Sequence, residues 1–397
     1  MTPAARRLIT LISVAMVVDT AAYATITPLL PDLVEEFGLS KAGAGALSAA
    51  YPVGTLVLAL PAGLLAARIG AKPTVLASLV VLAGASLVFG LAESSGLLVV
   101  SRVLQGVGAA GVWAGGLAWV AASAPREYRA QAIGTAIGAA IAGSLGGPVL
   151  GAAADELGRV VVFAMFVALP LALIGALARL AGPASVATPG LAALRVAVTD
   201  PRMRIGFGLM VLPSLGFGMI NVLVPLRLDD LGAGATAIAA VFLVAVGLEA
   251  LMSPLAGRLA DRHTPLTPAR AGLVAGGVGF ALLSLPGTAL LLGIATIFAA
   301  SVLGLLWAPA MALLGDRAEA KGMDLAFAFA LGNLAWGFGT AIGGSGGGAL
   351  ADATADAVPY LLLSALALVT ALRLGTRSGS RTSSMPRSSA SARSPGS

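Results

Sequence analysis

Residues 134–152 read GTAIGAAIAGSLGGPVLGA. Small residues recur at Gly134, Gly138, Gly143, Gly147 and Gly151, and Pro148 follows Gly147 directly. In water this stretch makes a poor helix, because each interior glycine costs about 1 kcal/mol and a proline about 3 kcal/mol. In lipid the backbone has to satisfy itself within the segment, and glycine lets a second backbone approach closely. The Gly134–Gly138 spacing, repeated at Gly143–Gly147, therefore predicts a membrane helix with a packing face. Pro148 removes one amide donor and loosens the helix there. By itself such a face is a tight packing face of any membrane bundle.

The chain around it fits the lipid reading. It has 397 residues, 58% hydrophobic and only 11% charged, with a mean hydropathy of +0.96. A water-soluble domain cannot hide that much apolar surface. With no cysteine, a disulfide framework, a thiolate metal site and a cysteine nucleophile are excluded. One histidine, His263, leaves no basis for histidine-rich metal chemistry. Gly106-Val107-Gly108 and Gly343-Gly344-Ser345-Gly346 lack the GK[ST] ending and preceding strand of a phosphate loop. No cofactor, metal or catalytic nucleophile–base pair is expected, and the chain does not read as an enzyme.

Twelve apolar segments follow one another, at about 8–30, 45–67, 73–92, 96–122, 130–154, 159–181, 204–228, 235–258, 268–287, 289–314, 324–351 and 357–374. Most reach the roughly 20 residues needed to cross a bilayer. The first is too long for a signal peptide, and acidic DLVEEF follows it with no small-residue cleavage site. The net charge of +6 reports topology and not nucleic-acid binding, because the basic residues sit in short connectors and a tail. With the N-terminus in the cytoplasm, every basic residue except Lys41, Arg102, Arg159 and Arg227 falls on the cytoplasmic side or in the tail. Both termini are then cytoplasmic, and the protein is expected as a multi-pass protein of the cell inner (plasma) membrane.

The two halves echo each other. Pro28-Leu29-Leu30-Pro31-Asp32 corresponds to Pro225-Leu226-Arg227-Leu228-Asp229, Gly63-Leu64-Leu65-Ala66 to Gly257-Arg258-Leu259-Ala260, and the stretch Gly151 to Asp155 to that from Gly348 to Asp352. An even number of helices per half keeps both the same way up. The expected organisation is an N-terminal six-helix half over 1–181, a linker over 182–203, a C-terminal half over 204–374 and a basic, disordered tail over 375–397.

Three motifs carry a family resemblance. The full spacing of Gly134, Gly143, Gly147-Pro148 and Gly151 resembles the fifth-helix "antiporter" motif of proton-coupled exporters in the major facilitator superfamily, with Ala152 where that motif ends in glycine. Residues 102–108, RVLQGVG, match its helix 4 signature RxxQGxG, and residues 17–31, VVDTAAYATITPLLP, resemble helix 1 of its twelve-span drug:proton antiporters. The loop Gly63–Lys72 resembles GxLADRxGRK, keeping Gly63, Arg68 and Gly70 but holding Ala67 and Ala71 in place of the motif's Asp and second Arg. Its second copy keeps Gly257, Asp261 and Arg262. The resemblance implies an all-α membrane protein of twelve helices in two parallel-repeat halves. It also implies proton-coupled efflux of a small amphipathic or cationic molecule by alternating access. The expected partners are that substrate, protons and the bilayer, with no nucleic acid, and the chain is expected to be a monomer.

Three ionisable side chains lie inside spans, Asp19, Arg102 and Glu249, where a charge costs about 2.5–3.5 kcal/mol or more and marks a cavity or a partner. Asp19 is a proton-coupling candidate, with Tyr23 one turn on, or else a packing aspartate bonded to a neighbouring hydroxyl. Arg102 shares a face with Gln105 and either serves a nearby carboxylate or snorkels to the interface. Glu249, in the middle of segment eight, falls under no motif and is the reserve coupling candidate. Asn221, Trp307, Asn333 and Trp336 are further cavity candidates, since amides and aromatics suit an amphipathic guest. Against the exporter stand a facilitator or importer of a metabolite and, from another class, a membrane sensor that transports nothing.

Overall fold

A computed structural model describes residues 1–183, 199–262, 266–321 and 325–382, and every described segment of length is helical. The helices are α1 (Pro3–Phe37), α2 (Lys41–Ile69), α3 (Ala71–Gly90), α4 (Ser95–Ser123), α5 (Arg129–Leu157) and α6 (Arg159–Ala178). They continue as α7 (Pro201–Asp230), α8 (Ala235–Arg262), α9 (Leu266–Leu283), α10 (Ala289–Ala320), α11 (Leu325–Ala353) and α12 (Ala357–Thr382). Among the described residues eleven helices are long and apolar enough to cross a membrane. The twelfth expected segment is the 29-residue α11, whose glycine-rich second half packs between α2 and α7. Large apolar side chains such as Leu251, Leu285, Leu290 and Leu372 are exposed by 69%, 74%, 74% and 69%. Only a hydrocarbon surrounding makes such a surface favourable.

Side chains at the helix starts explain the register. Thr2 and Ser40 accept from the N–H groups of Ala5 and Gly43, Ser94 and Thr288 from those of Leu97 and Leu291, and Asp200 from those of Arg202 and Met203. Each such cap is worth about 1 kcal/mol. The turn from α2 to α3 consists of Gly70 alone, at φ +101°, a conformation only glycine adopts cheaply. Lys72 then donates to the carbonyls of Ala178 and Leu180 at 2.7 Å, closing the end of α6.

Two helices are interrupted. In α1 the break falls at Thr25, because Pro28 has no N–H to offer the carbonyl of Ala24. In α10 a short 3-10 turn, Gly304–Leu306, separates two α-helical pieces. Segments one and twelve also run further than expected, α1 through the acidic residues to Phe37 and α12 to Thr382, inside the expected tail. Residues 383–397 and most of the expected linker lie outside the described residues.

The packing repeats after six helices. In the first half α1 packs on α5, α2 and α3 on α4, and α3 on α6; in the second α7 packs on α11, α8 and α9 on α10, and α9 on α12. The halves meet where α2 touches α11 and α5 touches α8. At the end that carries Lys41 this seam is tight. Lys41 pairs with Asp356 at 2.6 Å, and the backbones of α2 and α11 meet at Gly45–Gly344 and Lys41–Gly348.

The expected packing stripe on α5 is only half used. A Cβ on Gly143, Gly147 or Gly151 would collide with the α1 backbone, reaching the Cα of Val17 and the C atom of Ala24, each at 2.9 Å, and the carbonyl oxygen of Thr25. Gly151 in particular receives the ring of Pro28 at the α1 break. Gly134 and Gly138, by contrast, meet nothing within 4 Å, so the close approach expected of them is not made here. They lie on the part of α5 far from the Lys41 end.

Candidate transport site

Helix 4 builds the polar centre. Gly106 lies against the backbone of Tyr51 and Thr55 on α2, while on the other face Gly108 lies against Ser78 and Leu82 on α3. Any side chain at Gly106 would push α2 away, and Tyr51 with it. This contact explains why a Gln-Gly pair follows Arg102 in the motif.

Arg102 is fully buried, which overturns the snorkelling alternative. Its Nη1 donates to Gln105 Oε1 at 2.9 Å and to the carbonyl of Ala22 at 3.2 Å, and its Nη2 donates to the carbonyl of Tyr23 at 3.2 Å. Both carbonyls belong to the last turn before the break at Thr25, where a cation is favoured by the helix dipole and by tilted acceptors. The guanidinium also lies 4.9 Å from the ring centre of Tyr51 and 5.8 Å from that of Tyr23, within cation–π range. Gln105 was expected on the cavity wall. It is instead fully buried and passes the network on to Ser86 Oγ at 3.1 Å, so it orients Arg102.

Asp19 is likewise fully buried. Tyr51 Oη donates to Oδ1 at 2.7 Å and Trp113 Nε1 donates to Oδ2 at 3.0 Å. Among the described residues Arg102 forms no ion pair with it, the ion pairs being Lys41–Asp356, Arg159–Glu36, Arg227–Asp230 and Arg317–Asp200. Tyr23, one turn on from Asp19, packs on Asp19's own donor Tyr51 at 4.9 Å and on Trp336 at 5.4 Å between ring centres, and Asn221 Nδ2 donates to its hydroxyl at 3.4 Å. Tyr23, Trp113, Asn221, Asn333 and Trp336 are all partly exposed, whereas Asp19, Tyr51, Arg102 and Gln105 are buried. The acid thus lies one layer behind a wall of Tyr23, Asn221 and Trp336.

Glu249 and Trp307 come together in the second half, the indole Nε1 donating to Oε1 at 2.8 Å. Phe217 of α7 lies nearly parallel to Trp307, 6.0 Å away. Tyr51, Trp113 and Phe217 were not singled out from the sequence. Trp113 had a readable signal, since it lies eleven residues after Arg102, three turns on and on the same face. Tyr51 and Phe217 are single aromatics in apolar runs, and nothing in the sequence told them from core.

The loop motif is less engaged. A Cβ on Gly63 would meet nothing within 4 Å, and Arg68 is exposed and in no ion pair given by the described residues. Gly257, Asp261 and Arg262 belong to the end of α8, and their side chains lie outside the described residues. Among the described residues no cluster of His, Cys, Asp or Glu has metal-holding geometry.

Comparison with known proteins accords with this architecture. The chain is 31% identical over 278 residues to the chloramphenicol resistance protein of Streptomyces lividans, covering 67% of this chain and 69% of that one. It is 31% identical over 175 residues to the MFS-type transporter ppzB of Metarhizium rileyi, covering 42% of this chain. The match spans about a third of the length of that protein and of its Metarhizium majus counterpart (36% and 34%). A bacterial homolog of the human lysosomal transporter Spinster, solved inward-facing and unoccupied, superposes with a TM-score of 0.75 at 15% identity, covering 96% of each chain. The family model described as the Major Facilitator Superfamily matches residues 12–323 and 206–394, and the chain belongs to that superfamily of membrane transporters.

Proposed function

We propose that this transporter exports a small, partly apolar molecule in exchange for protons, by alternating access. The observation that carries the reading is Asp19: a fully buried carboxyl, held by Tyr51 and Trp113 and lacking an ion-pair partner among the described residues. A buried acid left without a fixed counter-charge exchanges its proton when a guest or water reaches it. Tyr51 and Trp113 connect it to the aromatic wall that a guest would touch. Arg102, fixed to the carbonyls beside the α1 break, ties the acid's surroundings to the shape of that helix. The direction of transport rests on the helix 5 motif and on the resistance function in the name of the Streptomyces relative. In this reading the Lys41 end faces outward and is closed, and both termini face the cytoplasm.

Vesicles containing the purified protein test this. An imposed proton gradient should drive countermovement of a transported compound, and Asp19→Asn, close in volume, should abolish the driven movement while the protein still folds. If Asp19→Asn builds the same gradient at the same rate, the coupling group lies elsewhere. Movement down its own gradient alone would make the protein a facilitator, and co-movement with protons an importer.

A further inference from the structure

Among the described residues each half contains one carboxylate that accepts from an indole N–H. Trp113 serves Asp19 and Trp307 serves Glu249. The two tryptophans are 194 residues apart, the same offset as Gly63 and Gly257 in the repeated loop. They are thus repeat mates on α4 and α10, yet their acids differ in origin, Asp19 from α1 and Glu249 from α8.

The two settings differ in what is left free. Both oxygens of Asp19 are engaged, and the residue is fully buried. On Glu249 only Oε1 is engaged, no second donor reaches the carboxyl among the described residues, and the residue is partly exposed. Its side chain lies in the notch left by Gly304, where a Cβ would come within 2.7 Å of Glu249 Cγ. That notch belongs to the 3-10 turn that interrupts α10. The carboxyl is therefore anchored at one oxygen, and among the described residues no donor meets the other. Beside it stands Trp307, and Phe217 lies nearly parallel to that indole, 6.0 Å from it between ring centres, both rings being partly exposed.

On the reading of the chain as an exporter, we propose that Glu249, Trp307 and Phe217 form the subsite that receives a protonated amine of the transported molecule. The free oxygen accepts an N–H of the ammonium, and the rings supply cation–π attraction and apolar contact to its substituents. Glu249 then selects the guest and Asp19 handles the proton, the reverse of a scheme in which Glu249 is a second proton site. A neutral guest of equal shape leaves the free oxygen without a donor and binds less well.

The test is binding to the detergent-solubilised full chain near neutral pH, read as the shift in thermal unfolding midpoint. The probes are phenethylammonium and ethidium as cations, and 2-phenylethanol and chloramphenicol as neutral compounds. Wild type should be stabilised by at least one cation and much less by the neutral compounds. Glu249→Gln, whose amide oxygen can still accept from Trp307, should unfold at the unliganded wild-type midpoint and bind the cation about tenfold more weakly or worse. Phe217→Leu should weaken it by a smaller factor. Equal cation binding in Glu249→Gln overturns the proposal, as does a wild type that no cation stabilises or that responds equally to both classes. Binding is measured without any gradient, so a protein that binds through Glu249 but shows no proton-driven flux would overturn the exporter reading and leave the subsite standing.

Discussion

Helices α5 and α11 occupy matching places in the two halves, and both use glycine at the same three steps. Gly143, Gly147 and Gly151 meet α1; Gly339, Gly343 and Gly347 meet α7. They differ in their other faces. On α11, Gly348 meets the backbone of α2 at Lys41, and Gly337 comes near that at Pro52, so the helix is pinched from both sides. On α5, Gly134, Gly138 and Gly146 meet nothing within 4 Å. One glycine helix is fully spent at the Lys41 end, and the other holds an unused small-residue face at the opposite end. On the alternating-access proposal both conditions are needed at once, because a seam can close only where backbones are able to approach.

The largest effect should come from filling the used face. Gly147→Leu places side-chain atoms where Ala21 and Ala24 already stand, and overpacking of this kind costs about 1–3 kcal/mol or more. The unfolding midpoint should fall clearly, and Gly343→Leu, facing the backbone of Leu215, should match it. Tolerance of one but not the other would show that the two contacts are not equivalent. Gly138→Leu sharpens the contrast. It should leave the midpoint near wild type, since the position is open, yet slow transport if that face closes during the cycle. Unchanged transport would make the open glycines lipid-facing filler.

A smaller effect is expected at the closed seam. The Lys41–Asp356 pair spans the two halves, but its side chains are 34% and 28% exposed, which limits it to about 1 kcal/mol or less. Lys41→Ala should therefore barely move the unfolding midpoint. It should instead raise the labelling rate of a cysteine placed at Gly344, which the cysteine-free chain makes easy to read. An unchanged rate would mean that the glycine contacts alone hold that end shut.

The sequence carried the all-α membrane fold because lipid leaves so few solutions: apolar runs of spanning length and a repeat offset near 197 residues. It also carried Asp19, Arg102 and Glu249, since a charge inside a span is conspicuous in any apolar run. Their partners were harder to see. Tyr51 meets Asp19 from 32 residues away and Trp113 from 94; the close approach of α2 to α4, Gly54 against Val103 and Gly106 against Tyr51, holds those two helices together, and no local spacing announces that they converge on α1. Gln105 was misread for a related reason. Helical spacing places it beside Arg102 but does not tell which side of that face another helix covers.

The smallest predicted effect concerns how the two halves begin. Helix α1 starts on the neutral cap Thr2, while α7 starts on Asp200, which also pairs with Arg317 of α10 at 2.7 Å. Burial of the Asp200 carboxyl favours its neutral form. The hydrogen bond from Arg317 and the N–H groups of Met203 and Arg202 outweigh that and hold it below its ordinary value of 3.8. A carboxyl lowered in the folded state adds stability above its unfolded value, and that gain is lost as pH falls through the folded one. Asp200→Asn is the informative variant, because asparagine still caps a helix and removes only the charge. The wild-type advantage in unfolding midpoint over Asp200→Asn should stay flat from neutral pH down to about pH 4, then shrink below it. No such dependence should appear for Thr2→Ala, whose cap carries no titrating group. If the Asp200→Asn difference stays constant well below the ordinary carboxylate range, the charge contributes nothing, and the two halves begin on equivalent caps.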